Sequence, residues 1–441
     1  MSESQVHKFG GSSLESYEGF YRVAKIILGS SSKKDLIIVS AAGKTTDHLY
    51  ELFSKVNIES EWNDVLHKIQ FFQEQLVEQL VSSENVEFQL NLLIRDVEFI
   101  RSSILFGNIN KYQMNHILGF GELWSARLLS QLLTELGARA QYLDARDVLI
   151  ATDDVLPIIY DEISSYKLSI IRQNLGEQHL VITGYICAND KGDTLLLGRN
   201  GSDYSATVIA SLAKVNFVTI WTDVNGLYTA DPKIVKNTKL IDGISFSEAD
   251  RLAKLGCSLL HHRSLKPIFK SKINLAVRSS YKPDERFTVI SQHEDVNNKP
   301  VVTFLDSVYL IELKVSSVRF LMKELHEAEV SPLTYRVSGD RLFISYNRDQ
   351  YFKVKEFFPF LKGKFGVEFI NVDLSHGLVA LVSRNVTLYK KWFINEFSCR
   401  ENTIYCDEIS LTLTMPKSKV FSFVKKIHDY CVASLEESGV H

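Results

Sequence analysis

The sequence predicts an α/β fold: an open, mostly parallel sheet sandwiched by helices, followed by tandem βαββαβ units. Three observations predict it. Short runs such as Asp35-Leu36-Ile37-Ile38-Val39-Ser40 are continuously apolar, as strands buried on both faces of a parallel sheet are. These runs alternate with stretches of helical period. Several of them open into turns of glycines and hydroxyls that start a helix, which is where such folds place their ligands.

The first turn is Val6-His7-Lys8-Phe9-Gly10-Gly11-Ser12-Ser13-Leu14. An apolar run delivers Lys8 and opens into Gly10 and Gly11, which can take strained dihedrals and let backbone N–H groups approach a ligand. The positive end of the following helix is expected at the same spot, so the turn suits an anion. The lysine precedes the glycines, so this is not a Walker A loop. A plain strand–turn–helix corner, with Ser12 as N-cap and Glu15 closing a capping box, is the competing reading. The first helix is expected from Leu14 to Leu28, burying Leu14, Tyr17, Tyr21, Ala24 and Leu28.

The strand at 35–40 runs into Ala41-Ala42-Gly43-Lys44-Thr45-Thr46-Asp47, a second strand-to-helix turn. From Leu49 to Gln113 the chain is helical and reads as packing. Gly119 to Arg127 starts a further helix with Glu122 in its first turn, where an acid also complements the helix dipole. Short strands follow at Ala140–Asp144 and His179–Ile186. Gly192–Leu197 then leads into Gly198-Arg199-Asn200-Gly201-Ser202-Asp203, a polar cluster before a helix. Arg199 offers a fork for a carboxylate or phosphate, and Asp203 can orient a lysine or a magnesium ion. A polar helix cap is the alternative. The strand Phe217–Trp221 ends in Thr222-Asp223-Val224-Asn225-Gly226-Leu227-Tyr228-Thr229-Ala230-Asp231-Pro232-Lys233, an ordered loop that either holds a nucleotide or is plain surface.

The chain has 441 residues, enough for roughly three units at ordinary domain size. A net charge of −3 gives no reason to expect nucleic acid or an anionic membrane as partner. The five cysteines are dispersed without a CxxC pair, which suits a reducing compartment. With no apolar leader and no run long enough to span a bilayer, a cytoplasmic location is expected.

Ser291 to Lys299 reads as a polar linker between a first domain, 1–290, and a second region, 300–441. Beyond it, Tyr309, Ile311, Leu313 and Val315 alternate as in a half-buried strand. A helix is expected to turn Phe320, Leu321, Leu325 and Ala328 inward. Strands at 333–337 and 341–346 flank Ser338-Gly339-Asp340, and the next helix carries Tyr351, Phe352, Phe358 and Leu361. The pattern recurs with a strand at 377–382, a helix at 388–397 and a strand through Ile409, Leu411 and Leu413. A last helix is lined by Val420, Phe421, Val424 and Ile427.

Lys8-Phe9-Gly10-Gly11-Ser12-Ser13, Gly198-Arg199-Asn200-Gly201-Ser202-Asp203 and Trp221-Thr222-Asp223-Val224 together resemble the signatures of the aspartate kinases, of the amino-acid kinase superfamily. Thr46-Asp47, Gly121-Glu122 and Phe246-Ser247-Glu248-Ala249 match the same family in the same order. The wording of Ser40-Ala41-Ala42-Gly43 and Trp124-Ser125-Ala126-Arg127 is most similar to the kinase half of bifunctional aspartokinase/homoserine dehydrogenase II enzymes. No GxGxxG follows here, so a kinase without the dehydrogenase domain is expected.

The resemblance implies an amino-acid kinase fold with two interleaved ACT-like domains that pair in a homodimer. It implies transfer of the ATP γ-phosphoryl group to the β-carboxylate of L-aspartate, the first step towards lysine, threonine and methionine. Lys8 and Asp203 would be catalytic, with Asp203 orienting Lys8 or the Mg²⁺ shell. Ser40, Thr46, Glu122, Arg199 and Ser202 would hold aspartate, with Arg199 on the α-carboxylate and Glu122 on the α-ammonium. Lys8, Gly10, Gly11, Ser12, Thr222, Asp223, Tyr228 and Lys233 would hold the nucleotide, and no direct protein ligand to the metal is expected. One position departs from the family: Ser258 stands where relatives carry a phosphate-contacting lysine, and Cys257 beside it reads as packing. The loop Ser316-Ser317-Val318-Arg319 lacks the glycine usual where effectors bind, so the ACT-like units read first as dimerisation elements. Two alternatives are a superfamily kinase acting on another carboxylate, carbamate or UMP, and a catalytically weak or dead amino-acid-binding regulatory homologue.

Overall fold

A computed structural model describes residues 4–107, 109–292, 299–328, 330, 332–399 and 402–437. They form two compact units that do not follow chain order. The first is Met1–Gly226 with Arg263–Gln292, and the second is Leu227–His262 with His293–His441. Within the second unit, Ala230 and Val235 are buried with Leu381, Leu411 and Ile427 of the C-terminal sheet and helix.

In chain order, the first unit supplies strands β1 (Val6–Phe9), β2 (Leu36–Val39), β3 (Ala140–Leu143), β4 (His179–Thr183), β5 (Ile186–Ala188), β6 (Thr194–Leu196) and β7 (Phe217–Thr222). The second unit interposes β8 (Gly243–Ser245), and the first resumes with β9 (Asn274–Ser279) and β10 (Thr288–Ser291). Its sheet runs β3-β4-β2-β1-β7-β9-β10. All neighbours from β3 to β9 are parallel, and β10 returns antiparallel to β9. β5 and β6 form a separate hairpin. β1 is central, with Lys8 level with Ile38 on one side and Ile220 on the other.

The helices of this unit are α1 (Tyr17–Leu28), α2 (Thr45–Lys55), α3 (Glu59–Leu80), α4 (Val86–Phe106), α5 (Lys111–Leu118), α6 (Phe120–Glu135), α7 (Asp161–Leu175) and α8 (Gly201–Ala213). α1 and α6 cover one face of the sheet, where Phe9, Ile37 and Trp221 are buried with Phe20, Val23 and Leu129. α8 covers the other.

The expected frame of the first helix is corrected. Gly11–Leu14 makes a single tight turn, and Ser16 caps the helix by accepting from the Gly19 N–H at 3.3 Å. The helix therefore starts at Tyr17 and buries Phe20, Val23, Ala24 and Ile27, leaving Tyr17 and Leu28 exposed. The Ser12/Glu15 capping box does not form, because Ser12 lies inside that tight turn and carries no cap bond.

In the second unit, α9 (Phe246–Lys254) comes after β8; α10 (His262–Ser271) then leads back to the first unit. The C-terminal region is β11 (Val301–Lys314), α11 (Val318–Glu327), β12 (Thr334–Ser338), β13 (Arg341–Tyr346), α12 (Arg348–Phe365), β14 (Glu368–Val382), α13 (Val386–Phe397), β15 (Thr403–Cys406), β16 (Ser410–Pro416) and α14 (Val420–Glu437). The sheet is antiparallel in the order β12-β13-β11-β14-β16-β15. The two βαββαβ units interleave by sharing strands. The start of β11 pairs with the end of β14, and beyond a bulge the end of β11 pairs with β13 and the start of β14.

α11 buries Leu321 and Leu325 at i, i+4 and leaves Phe320 and Ala328 exposed, a correction of the expected face. Phe352 and Phe421 are likewise exposed. Most of the expected linker at 291–299 lies outside the described residues. Among the described residues, no helix is long and apolar enough to cross a membrane.

Candidate functional site

Strand alternation places Lys8 and Phe9 on opposite faces of the sheet. Phe9 is buried on the α1 side, stacked on Trp221 at 5.7 Å between ring centres. Lys8 faces α8, where its Nζ lies 2.7 Å from Asp203 Oδ1, with 12% and 17% of the side chains exposed. Asp203 is in the first turn of α8, where a negative side chain complements the helix dipole. That helix starts from a tight reversal: Gly198 has φ +81° and Asn200 φ +55°.

The paired glycines work by their smallness rather than by unusual dihedrals. Gly10 has φ −79°, and Gly11 does not have positive φ. A Cβ on Gly10 would touch Lys8 Nζ at 3.5 Å. A Cβ on Gly11 would come within 2.9 Å of the Ala41 carbonyl oxygen and 3.0 Å of the Gly43 oxygen. The turns after β1 and β2 are thereby locked together. The Gly43 N–H donates to Gly11 O at 3.1 Å and the Ser40 N–H to Phe9 O at 3.1 Å. The expected strained dihedrals are thus corrected to a close backbone approach. Gly11 itself opens only a one-turn helix, so the long helix whose N-terminus lies beside Lys8 is α8.

Glu122 sits in the first turn of α6 and is 3% exposed. Gly121 lets it approach, since a Cβ there would meet Ala41 Cβ at 2.6 Å. Burial pushes the Glu122 carboxyl up to about 8. The Ala41 N–H, its own N–H and the nearby Lys8 charge oppose that shift only in part. Its Oε2 is buried without a hydrogen-bond partner among the described residues. A buried acid with an idle oxygen stays protonated at neutral pH unless a cation comes to lie against it.

Ser40 and Thr46 are half-buried at the tip of β2 and in the first turn of α2. The adjacent Thr45 is committed to structure, donating to Ala42 O at 2.6 Å and accepting from Gln73 at 3.1 Å. Ser202 is buried against Gly184. Arg199 is exposed and makes no hydrogen bond or ion pair among the described residues, so the structure does not bring it against Glu122. The turn that carries it is braced by Arg263, which donates to the carbonyls of Leu197 and Pro157 and lies over the Tyr204 ring.

Thr222 ends β7 on the same sheet edge and Asp223 follows it, with the Thr222 hydroxyl donating to Asp223 at 2.9 Å. Ser280 staples this edge. Its N–H donates to Thr222 O at 2.8 Å, and its hydroxyl meets Ser13 Oγ at 2.8 Å. Ser12 is exposed, and its carbonyl accepts from the Tyr281 hydroxyl at 3.1 Å.

Tyr228 and Lys233 belong to the second unit. Tyr228 is half-buried and bridges to Leu240, and Lys233 is exposed. Ser258 is exposed, and burial pushes the Cys257 thiol up to about 11, which makes it a packing group rather than a nucleophile. Among the described residues no group of three metal-ligating side chains occurs.

Sequence reasoning missed Gly184 and Tyr185. Tyr185 takes φ +66°, bonds the Tyr50 hydroxyl at 2.8 Å and lies within electrostatic reach of Glu122. A non-glycine residue at positive φ leaves no sequence signal. A Cβ on Gly184 would overlap Ser202 Cβ at 2.6 Å and Val39 O at 2.9 Å. We expect Gly184→Ala to displace the α8 N-terminus and to cost about 1–3 kcal/mol of stability. Thermal unfolding checks this, and an unchanged midpoint would contradict the tight fit.

Residues 3–279 match the amino acid kinase family. The chain is 38% identical over 353 residues to the bifunctional aspartokinase/homoserine dehydrogenase 2 of Escherichia coli (strain K12), an overlap of 78% of this chain and 43% of that protein. It is 33% identical over 309 residues to the aspartokinase of Chlamydia pneumoniae, covering 68% of this chain and 66% of that one. The solved structure of E. coli aspartokinase III in complex with aspartate and ADP superposes with a TM-score of 0.81 at 25% identity, covering 97% of this chain and 99% of that one. The chain thus spans less than half the length of the E. coli bifunctional relative.

Proposed function

The chain belongs to the amino acid kinase family, and we propose that it is an aspartate kinase, transferring the γ-phosphoryl group of ATP to the β-carboxylate of L-aspartate to give 4-phospho-L-aspartate. One observation carries the reading. The Lys8 ammonium, paired with Asp203, lies within electrostatic reach of the buried Glu122 carboxyl at the C-terminal edge of a parallel sheet. An amino-acid substrate that carries a carboxylate and an ammonium matches a cation set beside an acid that ionises when the ammonium binds it. Its similarity to aspartokinases supports the same reading.

The chemistry needs no general base. The β-carboxylate has a pKa near ~4 and is already ionised at neutral pH. One of its oxygens attacks the γ-phosphorus, the bond to the β–γ bridging oxygen breaks, and ADP leaves with that electron pair. The protein must neutralise and align two anions that repel each other. Lys8 and the amides of Gly10 and Gly11 hold the transferring group. Asp203 keeps the Lys8 ammonium pointed at it. Glu122 binds the α-ammonium and Arg199, unengaged in the structure, closes on the α-carboxylate; Ser40, Thr46 and Ser202 line the pocket. Ser12, Thr222, Asp223, Tyr228 and Lys233 serve the nucleotide. A Mg²⁺ would neutralise phosphate charge when bound, and Asp203, beside Lys8, is the carboxylate that would orient its shell.

We read 1–290 as the catalytic domain, and 300–441 as two interleaved ACT-like domains that pair two copies in a cytoplasmic homodimer. The product opens a route to lysine, threonine and methionine. ADP release should follow L-aspartate and fail with L-glutamate and D-aspartate. Equal rates with L-glutamate, or none with L-aspartate, would overturn the assignment. Arg199→Lys should raise the aspartate KM by about tenfold or more, because a point charge cannot make the two parallel bonds of a guanidinium. An unchanged KM would move the clamp elsewhere.

A further inference from the structure

The second unit builds the loop that carries Tyr228 and Lys233, and it builds it on its own core. The loop closes at a neck between Thr229 and Lys239. The Thr229 N–H donates to Lys239 O at 3.0 Å, and the Lys239 N–H donates to the Thr229 hydroxyl at 3.0 Å. The Val302 N–H, from β11, donates to Thr229 O at 2.8 Å. Beyond the neck, Ala230 and Val235 are buried among Leu381, Leu411, Val424 and Ile427.

The remaining partner comes from the last helix of the chain. His428 on α14 is 1% exposed, and its Nε2 lies 2.9 Å from Thr229 Oγ1. Burial pushes the imidazole pKa down, so the ring is neutral at pH 7. The Thr229 hydroxyl also accepts from the Lys239 N–H, so it is held between that amide and His428 Nε2, and the ring tautomer sets which of the two side chains donates. The ring's Nδ1 is buried without a partner among the described residues. Leaving a buried nitrogen unpaired is unfavourable, and the imidazole is held there with Thr229 as its one bonded partner among the described residues.

The geometry points to His428 as a positioning residue for the nucleotide. By fixing the Thr229 hydroxyl it clamps the neck of the loop, and so sets the places of Tyr228 and Lys233. This rests on the reading of that loop as nucleotide-binding. It makes ATP affinity, but not aspartate affinity, depend on a helix at the far end of the sequence.

The test uses the full chain and measures separate KM values for ATP and aspartate. His428→Ala and Thr229→Val should each raise the ATP KM by about tenfold, the factor that one buried hydrogen bond carries. The aspartate KM and the rate at saturating ATP should stay within twofold, and His428→Gln should recover most of the loss. Thr229→Val decides if His428→Ala does not fold. An unchanged ATP KM in these variants, with a raised one in Tyr228→Ala, would overturn the positioning role alone. If Tyr228→Ala and Lys233→Ala both leave the ATP KM unchanged, the loop reading itself falls, and this role with it.

Discussion

Lys8→Ala should lower kcat by about three orders of magnitude or more, the scale set by removing a charge that acts on a transferring phosphoryl group. Two effects add. The variant loses the cation that offsets the repulsion between aspartate and ATP. It also leaves the Asp203 carboxylate, only 17% exposed, without its partner at 2.7 Å, so a bare negative charge now faces the phosphates. Removing one member of such a pair costs stability as well, here about 1–3 kcal/mol after allowance for its partial exposure. The fold should survive at 25 °C, checked by circular dichroism. A second substitution, Asp203→Asn, should return part of the stability and little of the rate. A kcat within tenfold of the parent would remove Lys8 from the chemistry.

Glu122→Gln should act in opposite directions on stability and on substrate binding. The folded-state pKa of Glu122 is raised from 4.5 to about 8 by burial. Between those values the unfolded chain has lost the proton and the folded protein keeps it. Stability therefore falls as pH rises through that window, by about 1.4 kcal/mol per unit at most. Glutamine removes the slope. Without substrate, the variant should be more stable than the parent at pH 8 by a few kcal/mol, and the two should converge near pH 5. Aspartate binding reverses the comparison. An α-ammonium needs the ionised carboxylate, so binding releases a proton and the parent's aspartate KM should fall from pH 6 to pH 8. The variant should show a KM raised about tenfold or more and flat with pH. Melting curves and initial rates at pH 5, 6.5 and 8 separate the two effects. A parent whose melting midpoint does not change over that range would contradict the buried, protonated state.

Much of the site is legible in the chain because strand tips in a parallel sheet announce themselves locally. Lys8 is preceded by an apolar run and followed by glycines. Asp203 follows a Gly-Arg-Asn-Gly turn, and Glu122 opens a helix. The role of the glycines is less legible. Gly10 and Gly11 suggest unusual dihedrals, whereas the structure uses their missing Cβ atoms to let the neighbouring turn approach. The frame of α1 differs from its pattern for a related reason. Ser16, not Ser12, caps the helix, and the shift rotates Phe20 and Ile27 inward. The exposed aromatics Phe320, Phe352 and Phe421 show that hydrophobicity alone does not say which side of a helix meets the core.

The order of strands and turns, the residues that carry charge to the sheet edge, and the repeat of the C-terminal units are all written in the chain itself. They depend on local period and composition, which are properties of neighbours along the backbone. Folding in three dimensions was needed to bring Lys8 to Asp203, to leave Glu122 with an unpaired oxygen, and to bond His428 to Thr229 across 199 residues. Such pairings depend on which elements fold against each other, and a buried group's pKa depends on everything that excludes water from it.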